Sequence, residues 1–305
     1  MSTVIEVKSL SKWFGEVVAL NDLDVRIGHG VTGLLGPNGA GKSTFIKLAL
    51  GLYRPSRGEI RVLGGSPRNH LPVLRRIGYC PEIDKFFDNT TGYEFVYWMN
   101  RYWGMRRPEA RRNAETACER VHMTERMHDP IDEYSKGMRQ RIKLAQALAT
   151  NPELLFLDEP MAGLDPQARE EMFALVRQLG EDGYSVVVSS HILYEIERVT
   201  DNVVLLYNGK MLAQGRIREI RDLIDEHPHT VTVQSARPRE LSQHFVEDPG
   251  IISIEFEDSQ VVLRTRDPNT CYQRLNDLFL ENAIDVGGIR CSDDNLQAVF
   301  EYLVK

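Results

Sequence analysis

The sequence lacks several features that would assign it to a specialised class of protein. Its 305 residues contain no run of about 18 apolar residues, the length that a membrane-spanning helix needs. Only four cysteines are present, Cys80, Cys118, Cys271 and Cys291, and they form no C-x-x-C pair, which argues against disulfides and against a zinc site. The formal net charge of -7 argues against broad nucleic-acid binding, which depends on neutralising phosphates.

The composition that remains is that of an ordinary folded protein. Apolar residues make up 42% and charged residues 27% of a chain that is long enough for two cores. The first residues, MSTVIEVKSLSK, have neither the charged leader nor the apolar segment of a signal peptide. We therefore expect a cytoplasmic chain that does not itself cross a membrane, with cysteines that pack as small apolar side chains.

The first 215 or so residues alternate short β-branched runs with amphipathic helical stretches, the pattern of an α/β domain. ELLFLDEP and YSVVVSSH predict buried strands that end in polar residues, where open α/β sheets bind ligands. Asn208-Gly209, between two apolar runs, predicts a hairpin that closes the domain. We assign residues 1–220 to this domain and 221–229 to a linker.

Residues 230–305 follow a different pattern, which predicts a separate small α+β domain. The predicted elements are strand TVTVQ, a helix from about Pro238, strands IISIEF and QVVLRT around a turn at Asp258, helix NTCYQRLNDLFLEN, strand AIDVGGI and a last helix NLQAVFEYLVK. This order is close to a ferredoxin-like split β-α-β-β-α-β unit with one helix added.

A phosphate-binding motif lies near the N-terminus. The stretch GLLGPNGAGKST matches G-x-x-x-x-G-K-[ST] and lies between an apolar strand and a helix, which is the context that the motif requires. The alternative is a Gly-rich turn that binds no ligand, and such a turn would not need this context. Backbone N–H groups and the helix N-terminus are predicted to hold phosphates, Lys42 to reach the β- and γ-phosphates, and Ser43 to ligate Mg²⁺. The predicted contact residues are Gly36, Pro37, Asn38, Gly39, Ala40, Gly41, Lys42, Ser43 and Thr44.

Carboxylates suited to hydrolysis follow the strand LLFL. Asp158 is predicted to hold the magnesium shell, and Glu159 to orient or deprotonate the attacking water. Helix capping, the alternative role, suits Asp165 better, since Pro166 begins the next helix. His191 follows the other buried strand, where it would contact the γ-phosphate or fix the catalytic carboxylate. A histidine that simply starts a helix is the alternative.

A second stretch, YSKGMRQR, also has the pattern of an anion site. Ser135, Lys136 and Gly137 open a helix whose apolar residues include Ile142, Ala145 and Leu148. Its first N–H groups and the Ser135 hydroxyl are therefore predicted to be free for a phosphate. A plain serine N-cap is the alternative.

The order of these motifs over about residues 4–220 resembles that of the ATP-binding cassette (ABC) ATPases. Phe14 in KWFGEVVAL matches the family's adenine-stacking aromatic, GYCPE its Q-loop, YSKGMRQR its signature and GLDP its D-loop. The resemblance implies an α/β P-loop NTPase cassette with a helical subdomain at about residues 84–150. It also implies ATP and Mg²⁺ as ligands, and head-to-tail packing with a second copy or a homologous cassette. Ser135 and Gly137 would then contact the partner's ATP.

The Q-loop departs from the commonest family pattern. Glu82 stands where many relatives have a glutamine that ligates the metal and senses the membrane partner, and a carboxylate can also ligate Mg²⁺. A glutamate here resembles the cassettes of simple bacterial exporters. By the same resemblance, Phe86 and Phe87 are the predicted contacts with a transmembrane permease, although core packing is an alternative for any one aromatic in this region.

These features together predict the ATPase subunit of an ABC exporter, held peripherally on the inner face of the cell membrane by its permease. A soluble ABC ATPase that acts on nucleic acid or ribosomes is the alternative, but such proteins usually have long coiled coils or two cassettes. A switch that barely hydrolyses ATP fits poorly with an intact Glu159 and His191. Neither the transported substrate nor the role of the C-terminal domain follows from the sequence.

Overall fold

The structure is a computed structural model that describes residues 3–222, 229–280 and 286–291. The chain divides into two compact units, Met1–Ile217 and Arg218–Lys305. Within the described ranges, none of the helices has both the length and the apolar character needed to cross a membrane.

The first unit contains a parallel sheet, an antiparallel sheet and a group of helices. Its strands are β1 (Ile5–Phe14), β2 (Val17–Ile27), β3 (Val31–Leu35), β4 (Arg57–Val62), β5 (Ile77–Cys80), β6 (Leu154–Leu157), β7 (Ser185–Ser190), β8 (Asn202–Tyr207) and β9 (Lys210–Arg216). Its helices are α1 (Lys42–Ala49), α2 (Leu71–Leu74), α3 (Gly92–Tyr102), α4 (Arg107–Arg120), α5 (Lys136–Leu148), α6 (Pro166–Glu181) and α7 (Leu193–Glu197), and α8 (Ile217–Asp222) follows β9.

The larger sheet determines where the functional side chains meet. Its strand order is β5-β6-β7-β3-β8-β9, with β5, β6, β7, β3 and β8 parallel and β9 antiparallel. Because β3, β6 and β7 are parallel neighbours, the residues that follow them lie at one edge of the sheet. β1, β2 and β4 form a separate antiparallel sheet, and a buried apolar cluster joins it to α1 and the larger sheet. The predicted α/β fold is confirmed.

The hairpin predicted at Asn208-Gly209 is present and supports the phosphate loop. Both residues have positive φ, 46° and 75°, as a tight two-residue turn with mirror-image geometry requires. The Gly209 N–H donates to the Ala40 carbonyl at 3.1 Å, and the Asn21 N–H donates to the Gly209 carbonyl at 2.7 Å. Through its bond to Ala40, this turn holds one side of the phosphate loop, and through its bond to Asn21 it is itself held by β2.

Helices α3, α4 and α5 pack on one another. Helix α3 begins with a capping box, in which the Thr91 hydroxyl accepts from the Glu94 N–H and the Glu94 carboxylate accepts from the Thr91 N–H. The three helices share apolar contacts through Phe95, Ala114 and Ile142, all of which are buried. They form a helical layer within the range predicted for the helical subdomain.

The second unit has the predicted β-α-β-β-α-β order. Its elements are β10 (His229–Ser235), α9 (Pro238–Gln243), β11 (Ile251–Glu257), β12 (Gln260–Thr265), α10 (Pro268–Leu280) and β13 (Val286–Cys291). The strand order is β11-β12-β10-β13 with antiparallel neighbours, and the described core includes Val231, Phe245, Leu263 and Leu275. The last helix predicted from the sequence lies outside the described residues, as does most of the predicted linker.

Three of the cysteines have the predicted apolar role. Cys80, Cys118 and Cys271 are buried. Burial raises the pKa of the Cys80 and Cys118 thiols to about 12 each, so neither forms a reactive thiolate near neutral pH. The Cys291 side chain lies outside what the structure describes.

Candidate active site

The phosphate loop connects β3 to α1 and has little room for side chains. A Cβ atom on Gly36 would lie 2.3 Å from the Leu206 carbonyl oxygen, and Gly41, the residue before α1, has φ of 106°. Both positions therefore require glycine. The remaining predicted contacts lie on the same loop and the first turn of α1. Asn38 and Gly39 are exposed, Pro37, Ser43 and Thr44 are half-buried, and Ala40 and Lys42 are buried.

Lys42 lies inside the loop, where its ammonium group has three oxygen neighbours. It donates to the carbonyls of Gly36 at 2.6 Å and Pro37 at 3.3 Å, and its Nζ is 3.2 Å from Glu159 Oε1. An ammonium has three donors on a flexible stem, so the same group can exchange one of these oxygens for a phosphate oxygen. Lys42 thus joins the phosphate loop to Glu159, the second residue after β6.

Asp158 is a buried carboxylate, 3% exposed, whose partners include two hydroxyl groups. Ser43 Oγ donates to Asp158 Oδ1 at 3.4 Å and Ser189 Oγ donates to the same oxygen at 2.7 Å. The pKa of Tyr79 on neighbouring β5 is raised above its ordinary value, mainly by burial and secondly by the charge of Asp158. A buried carboxylate beside a serine hydroxyl is the oxygen ligand set that Mg²⁺ prefers, so these residues fit the predicted metal.

Glu159 lies between the lysine and the histidine that the sequence singled out. Its Oε1 faces Lys42, and its Oε2 is 2.9 Å from His191 Nδ1. The backbone has φ of 49°, a left-handed conformation that costs a non-glycine residue on the order of 1–3 kcal/mol and that persists only where its surroundings hold it. The structure thus brings Lys42, Glu159 and His191 into one cluster at the edge of the sheet.

His191 directly follows β7 and does not begin the next helix. Helix α7 starts at Leu193 with Ile192 as its cap, so the helix-start alternative does not describe His191. Its Nδ1 faces Glu159, and the side chain is 42% exposed. The ring therefore presents its other nitrogen away from Glu159, where a phosphate oxygen or a water can reach it.

Ser135 differs from its prediction in one respect. Its hydroxyl oxygen is not free, because it accepts from the Met138 N–H at 3.2 Å as the N-cap of α5. The hydroxyl hydrogen still has no acceptor within the described part of the chain, so the group keeps one donor for a ligand. Gly137 is buried against α6, where an added Cβ would lie 3.0 Å from the Ala168 Cβ. Neither residue hydrogen-bonds to the phosphate loop within the described ranges.

The other predicted site residues lie on separate surfaces. Phe14 is 42% exposed at the end of β1, with the Tyr53 ring 5.2 Å away and the Lys12 ammonium 4.7 Å from its centroid. Glu82 is exposed, and its carbonyl accepts from Lys143 Nζ at 3.0 Å. Phe86 and Phe87 both pack on Phe95, with centroid distances of 5.0 and 5.7 Å. Of the two, Phe86 is half-buried and Phe87 is 43% exposed.

A second polar network, which the sequence analysis missed, surrounds the end of β7. Ser190 Oγ donates to Glu195 Oε2 at 2.5 Å and accepts from the Ile192 N–H at 3.0 Å. The other oxygen of Glu195 is 3.8 Å from Arg169, which donates to the Leu164 carbonyl at 3.2 Å. The signal for this network in the sequence was the pair of serines, Ser189 and Ser190, that ends β7 after three valines. Their hydroxyls link the residues after β7 to the carboxylates after β6 and to the start of α6.

A phosphate loop after one parallel strand, with two carboxylates at the end of another parallel strand of the same sheet, defines a P-loop nucleotide hydrolase. The model of the family described as ABC transporter matches residues 20–162. The bacitracin transport ATP-binding protein BcrA of Bacillus licheniformis is 32% identical, and the match covers 100% of this chain and 98% of that protein. The chain therefore belongs to the ABC transporter family as an ATP-binding protein, and it is an ATPase.

Further similarities agree with this assignment. The Nod factor export ATP-binding protein I of Rhizobium etli is 32% identical over 90% of this chain and 86% of that protein. A solved structure of the ATP binding subunit of an ABC transporter is 30% identical, with a TM-score of 0.64, and the match covers 73% of this chain and 93% of that chain. The family resemblance and the cassette fold predicted from the sequence are confirmed.

Proposed function

We propose that this chain is the ATP-hydrolysing subunit of an exporter, which dimerises around two ATP molecules and drives a separate transmembrane subunit. The observation that carries the proposal is the contact of Glu159 with both Lys42 and His191 at the end of the phosphate loop. Its two relatives named for bacitracin transport and Nod factor export support the export role.

Each residue of the cluster has one proposed role in hydrolysis. Lys42 holds the β- and γ-phosphate oxygens, and Glu159 orients the attacking water and accepts its proton. His191, fixed by Glu159 through Nδ1, contacts the γ-phosphate with its other nitrogen. Ser43 and Asp158 would hold Mg²⁺, with Glu82 as a further ligand, and a bound ion would supply positive charge that neutralises the phosphates. A general base of this kind contributes about 10²- to 10⁴-fold in rate.

The composite site needs a second cassette. Phe14 stacks on the adenine from one face, since its ring is exposed at the end of a strand. Ser135, through its remaining donor, and the N–H groups at the start of α5 contact the ATP that the other subunit holds. The partner is a second copy or a homologous cassette.

The proposed permease contact lies on the helical layer near Glu82, Phe86 and Phe87. Phe87 belongs to an exposed aromatic surface, and its ring centroid lies 6.3 Å from that of Tyr102, which is 75% exposed. An exposed aromatic surface of this kind is typical of a protein interface. Contact with a permease would hold the chain peripherally on the inner face of the membrane. We further propose domain boundaries at residues 1–220 and 230–305, and a helical subdomain at about residues 84–150.

Glu82→Gln should leave the ATPase activity of the isolated subunit within about twofold of wild type, because an amide oxygen is also a competent Mg²⁺ ligand. The backbone contact of this residue with Lys143 does not depend on its side chain. Steady-state phosphate release as a function of Mg²⁺ concentration measures the effect. Complete loss of activity would show that the charge of Glu82 has a catalytic role.

Purification from native membranes under conditions that preserve the complex tests the proposed function directly. We expect a polytopic membrane protein to copurify with the wild-type chain and to be lost from a Phe87→Asp variant. Copurification with ribosomes or nucleic acid instead, without any membrane protein, would replace the exporter proposal with a soluble role. ATPase activity of the purified Phe87→Asp variant serves as the control, since Phe87 lies outside the catalytic cluster.

A further inference from the structure

The feature that carries a further inference is the fully buried hydroxyl of Ser189. Ser189 is 0% exposed and lies on β7, beside β6 in the sheet. The register pairs Leu157 with Val188, so Ser189 stands next to Asp158, the first residue after β6. The same hydroxyl oxygen is 2.7 Å from Asp158 Oδ1 and 2.9 Å from the Glu159 backbone nitrogen.

The direction of both hydrogen bonds is fixed by their chemistry. A backbone N–H can only donate, so the Glu159 N–H uses a lone pair of the Ser189 oxygen. The hydroxyl hydrogen is then available for Asp158 Oδ1, which accepts it. One hydroxyl group therefore contacts both carboxylate residues, one through its side chain and the other through its backbone.

The contact with Ser189 matters because it fixes the backbone of Glu159, whose carboxylate lies at the centre of the site. Its left-handed backbone, with φ of 49°, turns the side chain so that one oxygen meets Lys42 and the other meets His191. The N–H group of a residue in that conformation needs a partner when it is buried, and Ser189 supplies it. Without the hydroxyl, relaxation of the Glu159 backbone would move its carboxylate relative to both partners.

We infer that Ser189 is a positioning residue that holds Asp158 and Glu159 in their productive arrangement for ATP hydrolysis. This inference rests on the proposed function, because it takes Glu159 as the base and Asp158 as a metal ligand. Ser189 is fully buried, so we assign it a role through these two residues and not through contact with the substrate. Residues that orient metal ligands or catalytic groups in this way typically change metal affinity or activity by about 10- to 100-fold when they are removed.

Ser189→Ala should lower kcat by about 10- to 100-fold and raise the Mg²⁺ concentration for half-maximal activity, with little change in KM for ATP. Ser189→Thr keeps the hydroxyl and should recover most of both values. Ser185→Ala is the matched control, since Ser185 is on the same strand, 2% exposed, and its hydroxyl contacts His29 at 3.1 Å and not the carboxylates. This control should keep wild-type kcat and Mg²⁺ dependence.

Amide hydrogen exchange of the nucleotide-free protein gives a readout that does not depend on activity. The peptide that contains Glu159 should exchange faster in Ser189→Ala and at the wild-type rate in Ser185→Ala. If Ser189→Ala does not fold, Ser189→Cys, which has a weaker donor and acceptor, should give an intermediate loss of kcat with the same faster exchange.

Two results would overturn the inference. One is a folded Ser189→Ala variant with wild-type kcat and Mg²⁺ dependence, and the other is an equal loss in Ser185→Ala, which would indicate a general effect of removing a buried hydroxyl. Lys42→Ala, measured in parallel, separates this failure from failure of the proposed function. Retained turnover in Lys42→Ala would mean that the hydrolysis site itself is misassigned, whereas loss there beside normal Ser189→Ala turnover refutes the positioning role alone.

Discussion

Glu159→Gln should lower ATP turnover by about 10²- to 10⁴-fold while leaving ATP binding intact. The substitution keeps the size of the side chain, and its amide oxygen can still accept from Lys42, which also retains the carbonyls of Gly36 and Pro37. What disappears is the basic oxygen that would accept a proton from water. Single-turnover hydrolysis and binding of a fluorescent ATP analogue measure the two effects separately.

The same variant should accumulate a dimer with ATP trapped inside it, because the proposed composite site assembles around ATP and only hydrolysis would then remove the nucleotide. Size-exclusion chromatography with and without MgATP detects this species, and wild-type protein, which hydrolyses the nucleotide, is the control. Turnover by Glu159→Gln at the wild-type rate would require a different base. His191 is the nearest candidate, since its Nδ1 lies 2.9 Å from the same carboxylate.

Local signals in the sequence predicted those parts of the fold that depend on neighbouring residues. Asn208-Gly209 specified its turn because few other residues adopt positive φ at both positions. Asp165 caps α6 as predicted, with its carboxylate accepting from the Ala168 N–H at 2.9 Å, and Pro166 begins the helix. These features follow from short-range backbone chemistry, which a few consecutive residues can determine.

The internal bonds of the site could not be predicted in the same way. Ser43 and Asp158, which share a hydrogen bond, lie 115 residues apart, and Ser189 is 31 residues from Asp158. Their meeting depends on the strand order β6-β7-β3, which no short stretch encodes. The sequence indicated that Asp158 and Glu159 end a strand, but not which hydroxyl lies beside them. Ser135 caps α5 through its oxygen, a role that its sequence allows, but only the structure shows that its hydroxyl hydrogen has no acceptor within the described residues.

Two inactive variants, Lys42→Ala and Ser135→Arg, should restore ATPase activity when they are mixed. Each homodimer carries its defect in both composite sites, because each site takes its phosphate loop from one subunit and Ser135 from the other. In a mixed dimer both defects fall in one site, and the second site is wild type. Random pairing at equal concentrations gives half mixed dimers with half of their sites intact, so we expect about a quarter of the wild-type rate.

Both variants must first be shown to fold, since Ser135→Arg removes a helix cap that typically contributes about 0.5–2 kcal/mol. Lys42→Ala also removes a cation from the buried Glu159 carboxylate, which retains His191 as a partner. Thermal melts monitored by circular dichroism provide that control.

Subunit exchange and nucleotide occupancy of the mixed dimer are measured in parallel, because strict cooperativity between sites would suppress turnover without preventing closure around one ATP. Verified mixed dimers that never close around a nucleotide would show that Ser135 does not act on the partner's ATP, since a composite arrangement leaves one complete site in every such dimer.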